Sequence, residues 1–526
     1  VPRDAAGSQV EPSSWITAGV FAAVTVWSAL LYKPWVALPF PIRDFGSILD
    51  LFQANDSMVG RWSALLDMVV AAGRLTPLSM LPLAALWSAF GDNTVAWQWA
   101  RFAVMLLVVG SSYALLRRFG ASRVGAWVGA SLFVIAGSAS GGWLLPQVME
   151  PLGILAVLAA AGLALRWRGS SEATLVAFEI ALLLAAAILV KEPFVACVPF
   201  VILVALRGCD GLHVLRLQIP RRALALVSIT GGAIFLVNVL PLILVRRVSA
   251  ASGTYAAAYE LQSVDFTRVT NVLRATLLPV TRLVTFPANA AFLGILAAGL
   301  LIMFRGGRKG PEAIPLLLAL TLPLAGALLY LPWPEFPGYY AMPYLLGLAL
   351  ALALAITAVQ AFGARVLRFF TAAAAIVLIV LGTVMARNAV ESEVAQRIVE
   401  ATVARSLENA STADEIVAAV PNPAVSGRLG DGLRRYAQAT GARSLPLASD
   451  SSCAVAFALA ERLDDRALVV ALPGLCEEWQ PNEPPTFWPK RQYQIIDWKT
   501  LRINQVAMQA RLWAPEPNAD TNDAKP

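Results

Sequence analysis

The feature that most constrains this chain is a succession of apolar runs, each near the length of a membrane-crossing helix, separated by short segments carrying arginine. A helix rises about 1.5 Å per residue, so about 20 apolar residues cover a hydrocarbon core of about 30 Å. Runs of this kind fall at residues 15–32, 96–116, 124–142, 149–165, 173–190, 193–206, 223–245, 287–304, 312–331, 341–361 and 369–386. With 58% hydrophobic and 14% charged residues over 526 positions, the chain is too apolar for a water-soluble globule. The alternation of a membrane β-barrel is absent from the pattern. The expected fold class is therefore a polytopic α-helical membrane protein with about eleven transmembrane helices.

The cations set the topology. The opening residues, VPRDAAGSQVEPSS, do not read as a signal peptide, so the run at 15–32 reads as a retained first span. With the N-terminus inside, the inner loops collect Arg117, Arg118 and Arg123, then Arg166 and Arg168, then Arg207, Arg216, Arg221 and Arg222. Arg305, Arg308 and Lys309, and finally Arg365 and Arg368, complete the series. This is the positive-inside bias. It holds only if the short apolar run at 78–90, with prolines near its start, lies in the membrane surface rather than across it. The formal net charge of +7 is spread along these loops, so it reports topology, and no nucleic-acid partner is expected. Membrane lipids are the expected surroundings, in an inner (cytoplasmic) membrane of the bacterial type.

An odd number of spans places the C-terminal part outside. Composition changes near residue 388, which divides the chain into a membrane domain at 1–387 and an outer, periplasmic-type domain at 388–526. The latter reads as a soluble α/β domain: a helix at 389–409, strand-like runs ALVVAL at 467–472 and QYQIID at 492–497, and helix-like stretches around Arg434 and Ala460. Cys453 and Cys476 fall there, where an oxidising compartment favours a disulfide between them over two free thiols.

The same topology gathers chemistry-bearing residues on the outer side. Residues 38–82 form a long first outer segment with Asp44, Asp50, Asp56 and Asp67, and with amphipathic helices expected in it. Beside them stand Arg74, Glu150, Lys191, Glu192, Arg246, Arg247, Glu335, Tyr339 and Tyr340. Each has a plain alternative. Asp44 reads as a base or as the N-cap of a helix starting near Gly46. Asp50 is the substitute base or part of a solvated helix face, and Asp56 a turn residue. Arg246 and Arg247 are on the side that should be poor in cations, which suits a phosphate ligand or a lipid headgroup contact. Lys191 either binds phosphate or pairs with Glu192 or Glu150. Glu150 either orients a substrate or bonds a helix end, Arg74 is a ligand or a surface anchor, and the tyrosines belong to a site or to the interfacial aromatic belt.

The order of these features resembles the GT-C superfamily of integral-membrane glycosyltransferases. The resemblance rests on Arg43-Asp44-Phe45 after the first span, Gly73-Arg74-Leu75-Thr76-Pro77-Leu78 before the surface run, Lys191-Glu192-Pro193 opening a span, and Gly338-Tyr339-Tyr340-Ala341-Met342-Pro343 before a late one. It covers roughly residues 15–386. It implies a polyprenyl-phosphate-linked sugar donor and a protein, glycan or lipid acceptor, with transfer at the outer face. In that reading Asp44 or Asp50 is the general base. Arg246, Arg247 and Lys191 hold the donor phosphate, and Arg74, Glu150, Glu192, Glu335, Tyr339 and Tyr340 contact substrate. A divalent metal is left open. The leaving group is already good, so such an enzyme has to deprotonate a hydroxyl and stabilise a departing phosphate. A base without a covalent intermediate implies inversion. The competing expectation is a lipid-linked sugar flippase or transporter with an accessory outer domain, although the ionisable groups lie mainly at one edge and no internal repeat is visible. A non-catalytic scaffold leaves the outer charges unexplained.

Overall fold

A computed structural model of the chain describes residues 14–38, 40–71, 76–166, 173–208, 266–278, 286–305, 313–331 and 338–409, and six strands between 415 and 513. Helix α1 (Ser14–Tyr32) leads into three short helices, α2 (Ile42–Gln53), α3 (Met58–Ala71) and α4 (Pro77–Phe90). There follow α5 (Thr94–Arg118), α6 (Arg123–Ile135), α7 (Gly137–Leu144), α8 (Glu150–Ala164), α9 (Ala173–Val190) and α10 (Cys197–Gly208). Later come α11 (Phe266–Leu277), α12 (Phe286–Arg305), α13 (Ala313–Tyr330), α14 (Leu345–Phe362) and α15 (Arg365–Asn409). Ten of the eleven expected spans fall on described helices, while residues 223–245 lie outside the described residues.

Among the described residues, Thr94–Arg118, Tyr340–Phe362 and Arg365–Glu391 are long and apolar enough to cross a membrane, and eight further apolar helices are shorter. Large apolar side chains stand exposed on their outer faces, such as Leu107, Leu182, Leu328 and Phe369 at 58%, 60%, 70% and 71%. Surface of that kind suits lipid rather than water. The chain is an integral membrane protein.

Local chemistry explains where the helices begin. The Asn93 side chain accepts from Ala96 N at 3.1 Å to cap α5, and Ser122 accepts from Gly125 N at 3.0 Å to cap α6. Pro77 opens α4 in the first helical turn, where its missing N–H costs nothing. Helix α14 is apolar on every side, LLGLALALALAITAVQAF, and is accordingly the buried centre of the bundle, with α6, α12 and α13 packed around it. Small residues permit this closeness. A Cβ on Gly129 would lie 2.5 Å from the Ala349 carbonyl oxygen of α14, so only glycine lets the two backbones meet there.

The structure corrects three expectations. The run at 124–142 is two helices: Ala136 turns to extended backbone (φ −67°, ψ 141°) between α6 and α7. Asp44 is not an N-cap, because α2 starts at Ile42 after Pro41 and Asp44 is its third residue. In the first loop α2 is an amphipathic helix, as expected there, burying Ile48 and Phe52 while carrying Asp50, whereas the run at 78–90, α4, is apolar all round. The helix expected at 389–409 is the continuation of the last span, since α15 runs 45 residues without a break past position 387.

Beyond α15 the described strands are β1 (Glu415–Ala419), β2 (Leu447–Asp450), β3 (Ala467–Ala471), β4 (Arg491–Asp497), β5 (Arg502–Met508) and β6 (Arg511–Trp513). One sheet has the order β2-β1-β3-β6, with β1 parallel to β2 and β3, and β6 antiparallel to β3. Strands β4 and β5 form a separate antiparallel pair with Gln494 opposite Gln505. Two of these strands match the expected runs at 467–472 and 492–497 to within a residue. The stretches around Arg434 and Ala460, and Cys453 and Cys476, lie outside the described residues.

Candidate functional site

Contacts between helices group their ends in two sets. The start of α6 meets the end of α14 where Gly125 lies against Ala353 and Thr357, and Gly162 near the end of α8 lies against Arg118 at the end of α5, whereas the start of α8 meets the end of α9 through Glu150 and Lys191. One end carries Arg117, Arg118, Arg123, Arg166, Arg305, Arg365 and Arg368. The other carries the end of α1, the starts of α5 and α8, the end of α9 and the turn before α14. This second end holds the buried charges.

Glu150 is the first residue of α8, where the exposed N–H groups of a helix favour an anion. Lys191 follows the last residue of α9, where the free carbonyls favour a cation, and its own N–H still bonds Ala187 O at 3.0 Å. The two side chains form an ion pair between Nζ and Oε1, with Lys191 13% and Glu150 2% exposed. Pairing on this scale of burial is what makes either charge tolerable there. The sequence also contains the reason they meet. After Lys191 the chain turns through a short 3₁₀ segment, Glu192–Ala196, which seats the Phe194 ring on Gly153, one turn along α8 from Glu150. A Cβ at Gly153 would lie 2.3 Å from that ring.

Aromatic rings complete the cluster. Lys191 Nζ lies 4.3 Å from the centroid of the Tyr340 ring, a cation–π contact. Tyr340 belongs to the 3₁₀ segment Gly338–Tyr344 and stacks on Tyr330 at 5.7 Å; Tyr330 meets Tyr344 edge to face at 6.2 Å. Tyr344 is fully buried, and its hydroxyl donates to Pro193 O at 3.4 Å.

A second polar centre supports the first. Arg101, in α5 and 9% exposed, donates Nε–H to Trp143 O at 3.2 Å and Nη1–H to Pro146 O at 3.0 Å. Its Nη2 donates to Val148 O at 3.0 Å and to Gly142 O. Arg397, from α15, donates to Leu144 O and is itself held by Glu393 at 3.0 Å. Both guanidinium groups line an otherwise mostly apolar cleft with Tyr32, Phe40, Trp97 and Met105.

The structure thus brings together Glu150, Lys191 and Tyr340 of the expected residues, with Glu192 and Tyr339 in the adjoining turns. The pairing of Lys191 with Glu150 was one of its two sequence alternatives. Asp44 and Asp50 share α2, six residues apart, and α2 packs on α3 and α15. Asp50 is half-buried, and exposed Asp56 lies in the bend before α3, whose cap is Ser57, accepting from Gly60 N at 3.0 Å. Arg74, Arg246, Arg247 and Glu335 lie outside the described residues. Among the described residues no three His, Cys, Asp or Glu side chains converge as a metal site would require. Sequence reading passed over Arg101, Arg397, Tyr330 and Tyr344. Arg101 had a signal, a charge two turns inside an apolar helix; the other three had none.

Together these features define a polytopic helical membrane protein with a desolvated ion pair and stacked tyrosines at one end of its bundle. No family model matches the chain, and no curated protein matches it. Among solved structures, ArnT from Cupriavidus metallidurans bound to undecaprenyl phosphate is 11% identical, with 95% of this chain and 98% of that one covered and a TM-score of 0.45. The Archaeoglobus fulgidus oligosaccharyltransferase in the apo form is 13% identical over 87% of this chain and 70% of that one, TM-score 0.44. The arabinofuranosyltransferase AftD from Mycobacteria is 13% identical over 96% of this chain and 40% of that one, TM-score 0.43. With TM-scores of 0.43 to 0.45, no residue of this chain takes a role from them.

Proposed function

We propose that this protein transfers a sugar from a polyprenyl-phosphate donor to an acceptor hydroxyl at the end of the bundle that holds Glu150 and Lys191. The observation that carries this reading is the buried Glu150–Lys191–Tyr340 cluster, built where three inter-helix turns meet. A charge pair this dry is costly to maintain for packing alone, and hydrophobic replacements of such pairs are often as stable. With the arginine-rich end in the cytoplasm, the positive-inside rule supports an outer location for this end and for the C-terminal strands.

In the proposed step a carboxylate of α2, Asp44 with Asp50 in reserve, takes the proton of the acceptor O–H. The acceptor oxygen forms the new bond to the anomeric carbon, the carbon–oxygen bond to phosphate breaks, and the phosphate leaves with the bonding pair on its lipid. A single displacement of this kind inverts the anomeric centre. Arg246 and Arg247 are proposed to take the growing phosphate charge, with Lys191 adding positive potential from its fixed place beside Tyr340. Arg74, Glu192, Glu335 and Tyr339 are proposed substrate contacts on the same side. The Cys453–Cys476 disulfide is proposed for the outer domain.

The test is transfer by full-length protein in detergent, supplied with polyprenyl-phosphate monosaccharides and hydroxyl acceptors but no ATP. Release of free polyprenyl phosphate with a glycosylated acceptor is the expected result. Asp44→Asn should bind donor normally and lose about 100- to 10,000-fold in turnover, the usual contribution of a general base. Undiminished turnover in that variant removes Asp44 from the mechanism. Sugar movement seen only in sealed vesicles, with no bond transferred, identifies a flippase instead.

A further inference from the structure

We infer that Arg101 is a positioning residue for the Glu150–Lys191 pair, acting through the turn that joins α7 to α8, with Arg397 as a second fastener from α15. The turn has little of its own to hold it. From Leu145 to Met149 the chain is not helical, and the described backbone bond inside it is Val148 N to Leu145 O at 3.1 Å. The carbonyls around it point instead at guanidinium groups: Gly142 and Trp143 in the last turn of α7 and Pro146 and Val148 in the connecting turn accept from Arg101, and Leu144, the last residue of α7, accepts from Arg397. Arg101 thereby commits four of these carbonyls to one rigid, planar donor set, and a guanidinium has five N–H groups in a fixed fork. Two residues past the last of them, Glu150 begins α8.

The geometry makes the link directional. Glu150 receives its place from the turn, and Lys191 receives its place from Glu150, Tyr340 and the Phe194–Gly153 contact. A lysine at position 101 supplies at most three donors from a single atom and cannot span carbonyls from residues 142 to 148. Because α15 also leads to the C-terminal strands, Arg397 ties the same turn to the start of that part of the chain. The role in turnover rests on the proposed transfer activity; the mechanical link does not.

The experiment compares wild type, Arg101→Lys, Arg397→Lys and Tyr32→Phe as full-length proteins in detergent. Tyr32→Phe is the control, since it removes an equally buried bond, to Val134 O at 2.7 Å, from the wall of the same cleft without touching the turn. Amide hydrogen exchange, read without substrate, should rise about tenfold or more at residues 145–152 in Arg101→Lys, less in Arg397→Lys, and not in Tyr32→Phe. An even rise over α5 and α6, or no local change in either arginine variant, overturns the link. In the transfer assay Arg101→Lys should lower kcat by about tenfold or more, as slight misplacement of a reacting group does, while donor KM stays within about twofold. An equal loss in Tyr32→Phe reduces Arg101 to a packing residue. If Arg101→Lys does not fold, Arg397→Lys decides the exchange arm. Wild type that transfers no sugar counts against the proposed function alone, because the exchange arm still reads the link.

Discussion

The two ends of the helix bundle handle charge in opposite ways. At the arginine end, the described arginine hydrogen bonds are short-range: Arg117 donates to Ala121 O four residues away, and exposed Arg368 donates to Gly363 O, five residues away, at 2.9 Å. At the other end the partners are far apart in sequence. Lys191 reaches Glu150 over 41 residues, Arg101 reaches carbonyls 41 to 47 residues on, and Arg397 reaches Leu144 over 253. The first set finishes helix ends and reports orientation in the membrane. The second exists only when the whole bundle has assembled, so it should be fragile to single substitutions where the first is tolerant.

That contrast is most exposed to a test at Lys191. Lys191→Met leaves Glu150 buried without this partner and should lower stability by about 3–5 kcal/mol, measured as the midpoint of denaturant unfolding in detergent. The double replacement Lys191→Met with Glu150→Leu should recover most of the loss. A single variant as stable as wild type would mean the pair is solvated and the two ends do not differ. Next in size is Gly153→Ala, which places a Cβ against the Phe194 ring and should cost about 1–3 kcal/mol by overpacking; Gly153→Ala at no cost would show that another contact seats Lys191.

Tyr340 sharpens the comparison further. Tyr340→Leu removes the aromatic face under the Lys191 ammonium and should cost about 1–2 kcal/mol, while Tyr340→Phe keeps the face and should cost clearly less. Equal effects from the two would point to the hydroxyl rather than the ring. The smallest change is expected at the other end, where Arg368→Ala should shift unfolding by no more than about 0.5 kcal/mol. A larger shift there would break the distinction from the opposite side.

Much of the helical layout was legible because the cost of burying or exposing an apolar run is paid locally. The runs at 96–116, 149–165 and 341–361 land on α5, α8 and α14 within a few residues. The candidate site was half legible. Glu150 and Lys191 stood out as acid and base at turns between apolar runs, and each could be named. Which partner Lys191 takes was open, since nothing near it in the sequence distinguishes Glu150 from Glu192. Gly153 and Phe194, which decide the matter, look like ordinary residues of two apolar segments.

By itself, then, the sequence determined that this chain enters a membrane, where most of its helices run, and which helix ends gather cations. Those properties follow from transfer free energies and helix-end dipoles, which act over a turn or two. Only the tertiary structure decided that α6 breaks from α7 at Ala136, that α15 continues unbroken past the last span, and that Arg101 holds the turn before Glu150. These depend on which backbones a glycine lets into contact and which carbonyls a distant guanidinium can reach, and both are settled by the packing of helices far apart in the chain.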